Sequence, residues 1–180
     1  MMKVIGILCI LLGFGLTIGA AQAQYIDSRY ILGPGDKIRI SVFGEADLSF
    51  DRVQLNDAST FSYPFLGTVS AKGKTIKDVE YLITKGLRGD YLVDPKVTVS
   101  ILEYREFYVN GEVRNPGGYP FQPGMTLRKA VALAGGFSER ASRSAFYIIH
   151  DQDPNRKSRK ANLDTQVMPG DIITIEESFF

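Results

Sequence analysis

The chemistry-bearing residues of this chain are few. Its single histidine, His150, ends an apolar stretch and is followed by Asp151 and Asp153. One imidazole and two carboxylates could ligate a metal, but successive residues of an extended chain point to opposite faces. His150 therefore reads as a solvated strand end. With no second histidine, neither a serine nor a cysteine triad nor a histidine-based zinc set can be completed. Cys9 is the only cysteine and lies in the N-terminal apolar segment, which leaves the remainder without a thiol nucleophile or a disulfide. Glu45 with Asp47, and Asp90 with Asp94, have the form of the paired carboxylates of sugar hydrolysis. Nothing around them in the sequence forms an apolar pocket that would raise one pKa. No catalytic residue, metal or cofactor is expected.

Two near-identical phrases stand out: GPGDKIRI at 33–40 and MPGDIITI at 168–175. Neither fits a phosphate-binding loop, because each leads into a strand rather than a helix and lacks the G-x-x-x-x-G-K-[ST] frame. Pro34 and Gly35 pre-form a turn, and Asp36 can bond nearby backbone groups before the strand begins; Pro169, Gly170 and Asp171 repeat the device. The phrases are expected to mark architecture, not a ligand loop. Arg156, Lys157, Arg159 and Lys160 form a short basic stretch suited to an anionic polymer or partner, or simply to a solubilising loop. The terminal Phe179 and Phe180 suit a partner or oligomer contact.

These residues need elements to position them. Ile38, Ile40 and Val42 alternate with polar residues, as do Val97, Val99 and Ile101, which is the period of a half-buried strand. Val53 with Leu55, and Phe61 with Tyr63, continue the strand pattern. Ile76, Val79 and Ile83 recur at helical spacing after Thr75, a capping residue with Asp78 three positions on, and Gly86 or Gly89 can stop that helix. FYVNGEV from Phe107 reads as a strand, NPGG with Pro116, Gly117 and Gly118 as a turn, and YPF as the return strand. Leu127, Ala130, Val131 and Ala134 form a second helical face, capped by Thr126 and stopped at Gly135 and Gly136. SAFYIIH and DIITI are strands, with DQDPNRKSRK a polar loop between them. The grammar of strands, helix and strand occurs twice, which makes the class α+β with a boundary near residues 103–106.

Residues 1–23 combine Lys3, an apolar run and the small-x-small site Ala21-Gln22-Ala23, as an export signal cleaved between Ala23 and Gln24 would. Beyond Lys3, basic and acidic residues balance, so nothing in the charge suggests nucleic acid as a partner.

Several long stretches carry a resemblance: YILGPGDKIRISVFGEADLS at 30–49, YPFLGTVSAKGKTIKDVE at 63–80 and YLVDPKVTVSILEY at 91–104. GEVRNPGGYPFQPGMTLRKAVALAGGFSERA at 111–141 and VMPGDIITI at 167–175 continue it. Together these resemble bacterial exopolysaccharide and capsule export proteins of the outer-membrane auxiliary family. The resemblance implies a polysaccharide-export domain over 24–104, with strands around one helix, and a β-grasp-like (SLBB) domain over 105–180. It also implies a non-enzymatic periplasmic component at the inner face of the outer membrane, a homo-oligomer forming or completing a conduit. Its expected partners are the polysaccharide, an inner-membrane co-polymerase and a separate outer-membrane porin. A periplasmic glycan-binding or regulatory module that conducts nothing is the alternative. Two departures are notable: Gln24 stands where long members carry a lipid-acceptor cysteine, and their membrane-crossing helix has no counterpart before Phe180. Neither a lipid anchor nor a membrane-crossing element of its own is therefore expected in the mature chain.

Overall fold

A computed structural model describes residues 29–178. The expected export signal with its Ala23–Gln24 cleavage point, and the Phe179-Phe180 pair, lie outside the described residues.

The first unit is built on three antiparallel strands in the order β2-β1-β5: β1 (Lys37–Val42), β2 (Phe50–Gln54) and β5 (Val97–Glu103). A short 3-10 turn, Ala46–Leu48, joins β1 to β2. β3 (Thr60–Tyr63) and β4 (Gly67–Ser70) form a separate hairpin, and Pro64 sits in its turn, where it costs no ladder bond. The alternation of β1 buries Ile38, Ile40 and Val42 on one face. These meet Val97 and Val99 of β5, Phe61 and Tyr63 of β3, and the apolar face of α1 (Ile76–Leu87), whose Val79, Ile83 and Leu87 are buried. Thr75 and Asp78 close a full capping box at the start of α1, each accepting from the other's backbone N–H. Gly86 lies inside the helix against the Leu66 side chain; the stop is Gly89, in the left-handed region at φ +94°. At the free edge of β5, Glu80 of α1 accepts from the Val99 N–H at 3.2 Å, which covers an otherwise open strand edge. Burial pushes the Tyr63 phenol up to about 12, and its hydroxyl donates to Leu48 O at 2.8 Å.

The second unit is a five-stranded mixed sheet in the order β7-β6-β10-β8-β9. Its strands are β6 (Phe107–Gly111), β7 (Gly117–Tyr119), β8 (Ala141–Ile149), β9 (Arg159–Ala161) and β10 (Ile172–Glu177). The last strand is central, parallel to β6 and antiparallel to β8. Phe107, Val109, Phe146, Ile148, Ile173 and Ile175 bury one face of this sheet against Leu127, Ala130 and Val131 of α2 (Leu127–Leu133). Thr126 caps α2, and Gly135 and Gly136 follow it with φ of +80° and +88°.

Two sequence expectations are corrected here. Gly117 and Gly118 are not in a turn: they open the return strand β7, with Tyr108 opposite Gly118, and of YPF only Tyr119 belongs to that strand. A Cβ at Gly118 would collide with the Glu106 carboxylate and press tightly on the Tyr108 ring, so the glycine clears a strip across which those side chains lie. The basic stretch is not one loop either: Arg159 and Lys160 belong to β9, zipped onto β8 opposite Ile148 and Tyr147.

Because Ile83 is fully buried while Tyr81 is 64% exposed on the same helix, Ile83→Ala is expected to cost about 3 kcal/mol in urea unfolding. Tyr81→Ala should stay within about 0.5 kcal/mol. Equal losses would contradict the orientation of α1.

Candidate functional site: the junction of the two units

Both PGD phrases form the same local device. Gly33 O accepts from the Asp36 N–H at 3.3 Å and Met168 O from the Asp171 N–H at 3.2 Å. Gly35 and Gly170 take φ of +88° and +84°, as the third position of a type II turn requires. Each aspartate then reaches back, accepting from the backbone N–H three residues earlier (Gly33 and Met168, both 2.8 Å). The two turns lie 135 residues apart in the chain, yet both abut one side chain, the guanidinium of Arg105 in the segment between β5 and β6.

Asp36 is fully buried. Its carboxylate accepts from the Arg105 N–H at 2.8 Å, from Arg105 Nη1 at 3.2 Å and from the Tyr30 hydroxyl at 2.8 and 2.9 Å. The other arm of the fork, Nη2, donates to Asp151 Oδ2 at 2.8 Å. Asp151 in turn donates its N–H to Asp171 Oδ1 at 3.1 Å. Arg105 is thus the tie between the turn that launches β1 and the turn that launches β10. Gly33 and Gly170 are small because Arg105 occupies the space their Cβ atoms would take. Burial disfavours the Arg105 charge, but Tyr30, Asp36 and Asp151 outweigh it and hold its pKa above the ordinary value. Burial pushes the Tyr30 phenol far up, with the Asp36 charge adding to the effect.

Asp171 differs. Burial raises its pKa, against the bonds from Met168 N–H, His150 and Asp151 N–H that lower it. His150 is therefore not a solvated strand end: its Nδ1 lies 2.9 Å from Asp171 Oδ2 and the ring is half-buried. Asp153 organises the following loop, accepting from the Asn155 N–H at 3.0 Å and from Arg159 at 2.9 Å. Among the described residues no three His, Cys, Asp or Glu side chains gather as a metal site. Asp94 of the second carboxylate pair is tied to Arg88 at 3.2 Å.

Beside Arg105 the two units leave a cleft of about 860 Å³, within the size range of ligand sites. Lys37 and Gln54 line it from the first unit, Tyr108, Phe121 and Arg156 from the second. Of the four basic residues singled out in the sequence, Arg156 alone reaches this cleft, while Arg159 is held by Asp153. Arg105 and the cleft were missed by sequence reasoning. The available signal was a lone arginine in a short inter-unit segment, with two PGD turns in need of a cation.

The family model for polysaccharide biosynthesis/export proteins matches residues 24–102, and the SLBB domain model matches residues 107–159. The chain belongs to the polysaccharide export protein family. Its first unit is the export domain, and its second is an SLBB-type β-grasp domain. The exopolysaccharide production protein ExoF of Rhizobium meliloti is 35% identical over 130 residues, covering 66% of this chain and 30% of that protein. The EPS I polysaccharide export outer membrane protein EpsA of Ralstonia nicotianae is 30% identical over 134 residues (61% of this chain, 35% of that protein). The polysialic acid transport protein KpsD of Escherichia coli is 28% identical over 152 residues, covering 83% of this chain and 25% of that protein. The chain therefore spans between a quarter and about a third of these curated relatives. Among the described residues no helix is long and apolar enough to cross a membrane.

The two aspartates of this polysaccharide export protein should respond differently to neutralisation. Asp36→Asn leaves Arg105 facing an amide and is expected to cost about 3 kcal/mol or more. Asp171→Asn loses one accepting oxygen and should cost about 1 to 2 kcal/mol. A carboxyl whose folded pKa is raised contributes stability below its unfolded pKa, and that contribution is lost as pH rises through the folded value. Asp171→Asn should abolish that part of the pH dependence. Urea unfolding from the acid range to neutrality reads both effects, and equal costs at the two positions would contradict the assignment.

Proposed function

We propose that this chain is a non-enzymatic periplasmic component of a polysaccharide export machine, forming or completing an oligomeric conduit. The observation that carries the reading is family membership: the export domain and the SLBB domain follow one another in order along one chain. Names of relatives that speak of exopolysaccharide production, export and polysialic acid transport support it. The expected partners are further copies of this chain, an inner-membrane co-polymerase, an outer-membrane porin and the polymer itself.

A surface of the first unit supports assembly. Phe65, at a left-handed φ of +65°, stacks on Tyr91 with ring centroids 4.5 Å apart. Val93 is 95% exposed in the same loop as Tyr91, and Phe43, 83% exposed, donates its N–H to Lys96 O at the end of that loop. Four large apolar side chains gathered around one loop are more than solitary surface hydrophobics, and such patches mark contact sites.

Deletion of the gene should trap polymer in the periplasm, and the wild-type protein, mixed with its co-polymerase, should run as an oligomer in mass photometry. The double substitution Phe65→Ser with Val93→Ser should return it to the mass of one chain without loss of fold by circular dichroism. Normal secretion in the deletion strain, or a strict monomer in every mixture, would count against the conduit. Normal secretion with altered regulation would favour instead a glycan-binding module, a reading that the inter-unit cleft supports.

A further inference from the structure

The cleft at the junction has features that the fold does not need. Arg156 is held at φ +45°, a backbone region that costs a non-glycine residue free energy. The surrounding loop enforces it: Arg156 donates its N–H to Asp153 O at 2.9 Å, while the Asp153 carboxylate is fixed by Asn155 N–H and Arg159. The exposed Arg156 guanidinium lines the cleft with no carboxylate partner among the described residues. By contrast, the other cations at the cleft are already committed, Lys37 to Glu103 at 2.6 Å and Arg105 to Asp36 and Asp151. A guanidinium carried on a strained backbone, with no carboxylate partner among the described residues, therefore faces a cleft whose lining also includes the Glu106 carboxylate.

The second feature is a flat apolar surface. Tyr108 is 46% exposed although it sits on β6, next to the central strand of the sheet. It borders the cleft because its neighbour across the ladder, Gly118, has no side chain to lift the ring away. Gln54 adds an amide from the opposite unit. An aromatic face, an amide and a single free guanidinium match a ligand with apolar C–H faces, hydroxyls and a carboxylate. A wholly apolar ligand would leave Arg156 and Gln54 unpaired, and a neutral glycan would leave Arg156 unpaired.

We propose that the cleft between the two units binds a segment of an acidic polysaccharide, with Arg156 pairing a sugar carboxylate and Tyr108 stacking on a ring. This rests on the export reading only for the polymer being the chain's natural ligand; the binding itself is tested apart from export. The probe is hexagalacturonate titrated into the full chain, with binding read by calorimetry and by backbone NMR shifts. Cellohexaose and hexaglutamate serve as neutral-sugar and acidic-peptide comparisons. Hexagalacturonate should bind, shifting Tyr108, Gln54 and Arg156, and should weaken as salt is raised. Arg156→Gln should weaken it about tenfold and Tyr108→Ala about fivefold. Lys77→Gln, an equal loss of charge on α1, should leave it unchanged.

The proposal is overturned if hexagalacturonate does not bind or if cellohexaose binds as well. It is equally overturned if hexaglutamate binds as well, which would mark a peptide site, or if Arg156→Gln has no effect. The secretion phenotype of the deletion strain separates the two readings. Failed binding with trapped polymer sinks the cleft and leaves export standing, while specific binding with normal secretion does the reverse.

Discussion

A buried guanidinium between two small cores is the constraint on which this structure turns. Neither unit is large, and each carries a turn whose aspartate points inward. A buried carboxylate without a partner is among the costliest arrangements a fold can contain. Asp36 escapes that cost because Arg105, from the segment between the units, supplies a backbone N–H and the charged partner, beside the bonds from the Tyr30 hydroxyl and the Gly33 N–H. The second arm of the fork reaches Asp151, whose backbone N–H bonds Asp171. Removing any member would strand the others, a penalty typically larger than the net worth of such a pair. The value of the network therefore lies in specification: it fixes which face of the export domain meets which face of the β-grasp domain.

That fixed meeting has a functional consequence. Tyr104, adjacent to the arginine, packs against both hydrophobic cores, with the Tyr30 ring on one side and the Phe121 ring on the other. The cleft next to Arg105 is thus walled by two units that meet through Tyr104 and Arg105. A site assembled from separate units binds well only when its walls are held in place beforehand.

Much of the fold was legible because it is written in local patterns. The alternation of Ile38, Ile40 and Val42 and the spacing of Val79 and Ile83 follow from strand and helix geometry, and Thr75 caps its helix with residues three positions away. Errors arose where a local rule met a distant neighbour. Pro116-Gly117-Gly118 has turn composition, yet both glycines are in a strand, where Gly118 makes room for Tyr108 and Glu106. Arg159 and Lys160 look like loop residues because their charges hide a three-residue edge strand. The candidate site was least legible of all, since Arg105 meets Asp36 across 69 residues and Asp151 across 46. Periodicity carries no information about such a contact, though the repeated PGD turns pointed to the right residues for an incomplete reason.

The most direct test of the account is whether the two units unfold together and whether Arg105 is the cause. Hydrogen exchange across a urea series would follow Ile40 and Ile83 in the export domain beside Val109 and Ile173 in the β-grasp domain. The account predicts coincident transitions in the native protein, and in Arg105→Met two separated ones with both cores still formed. Separate transitions in the native protein, or coincident ones that survive Arg105→Met, would contradict it.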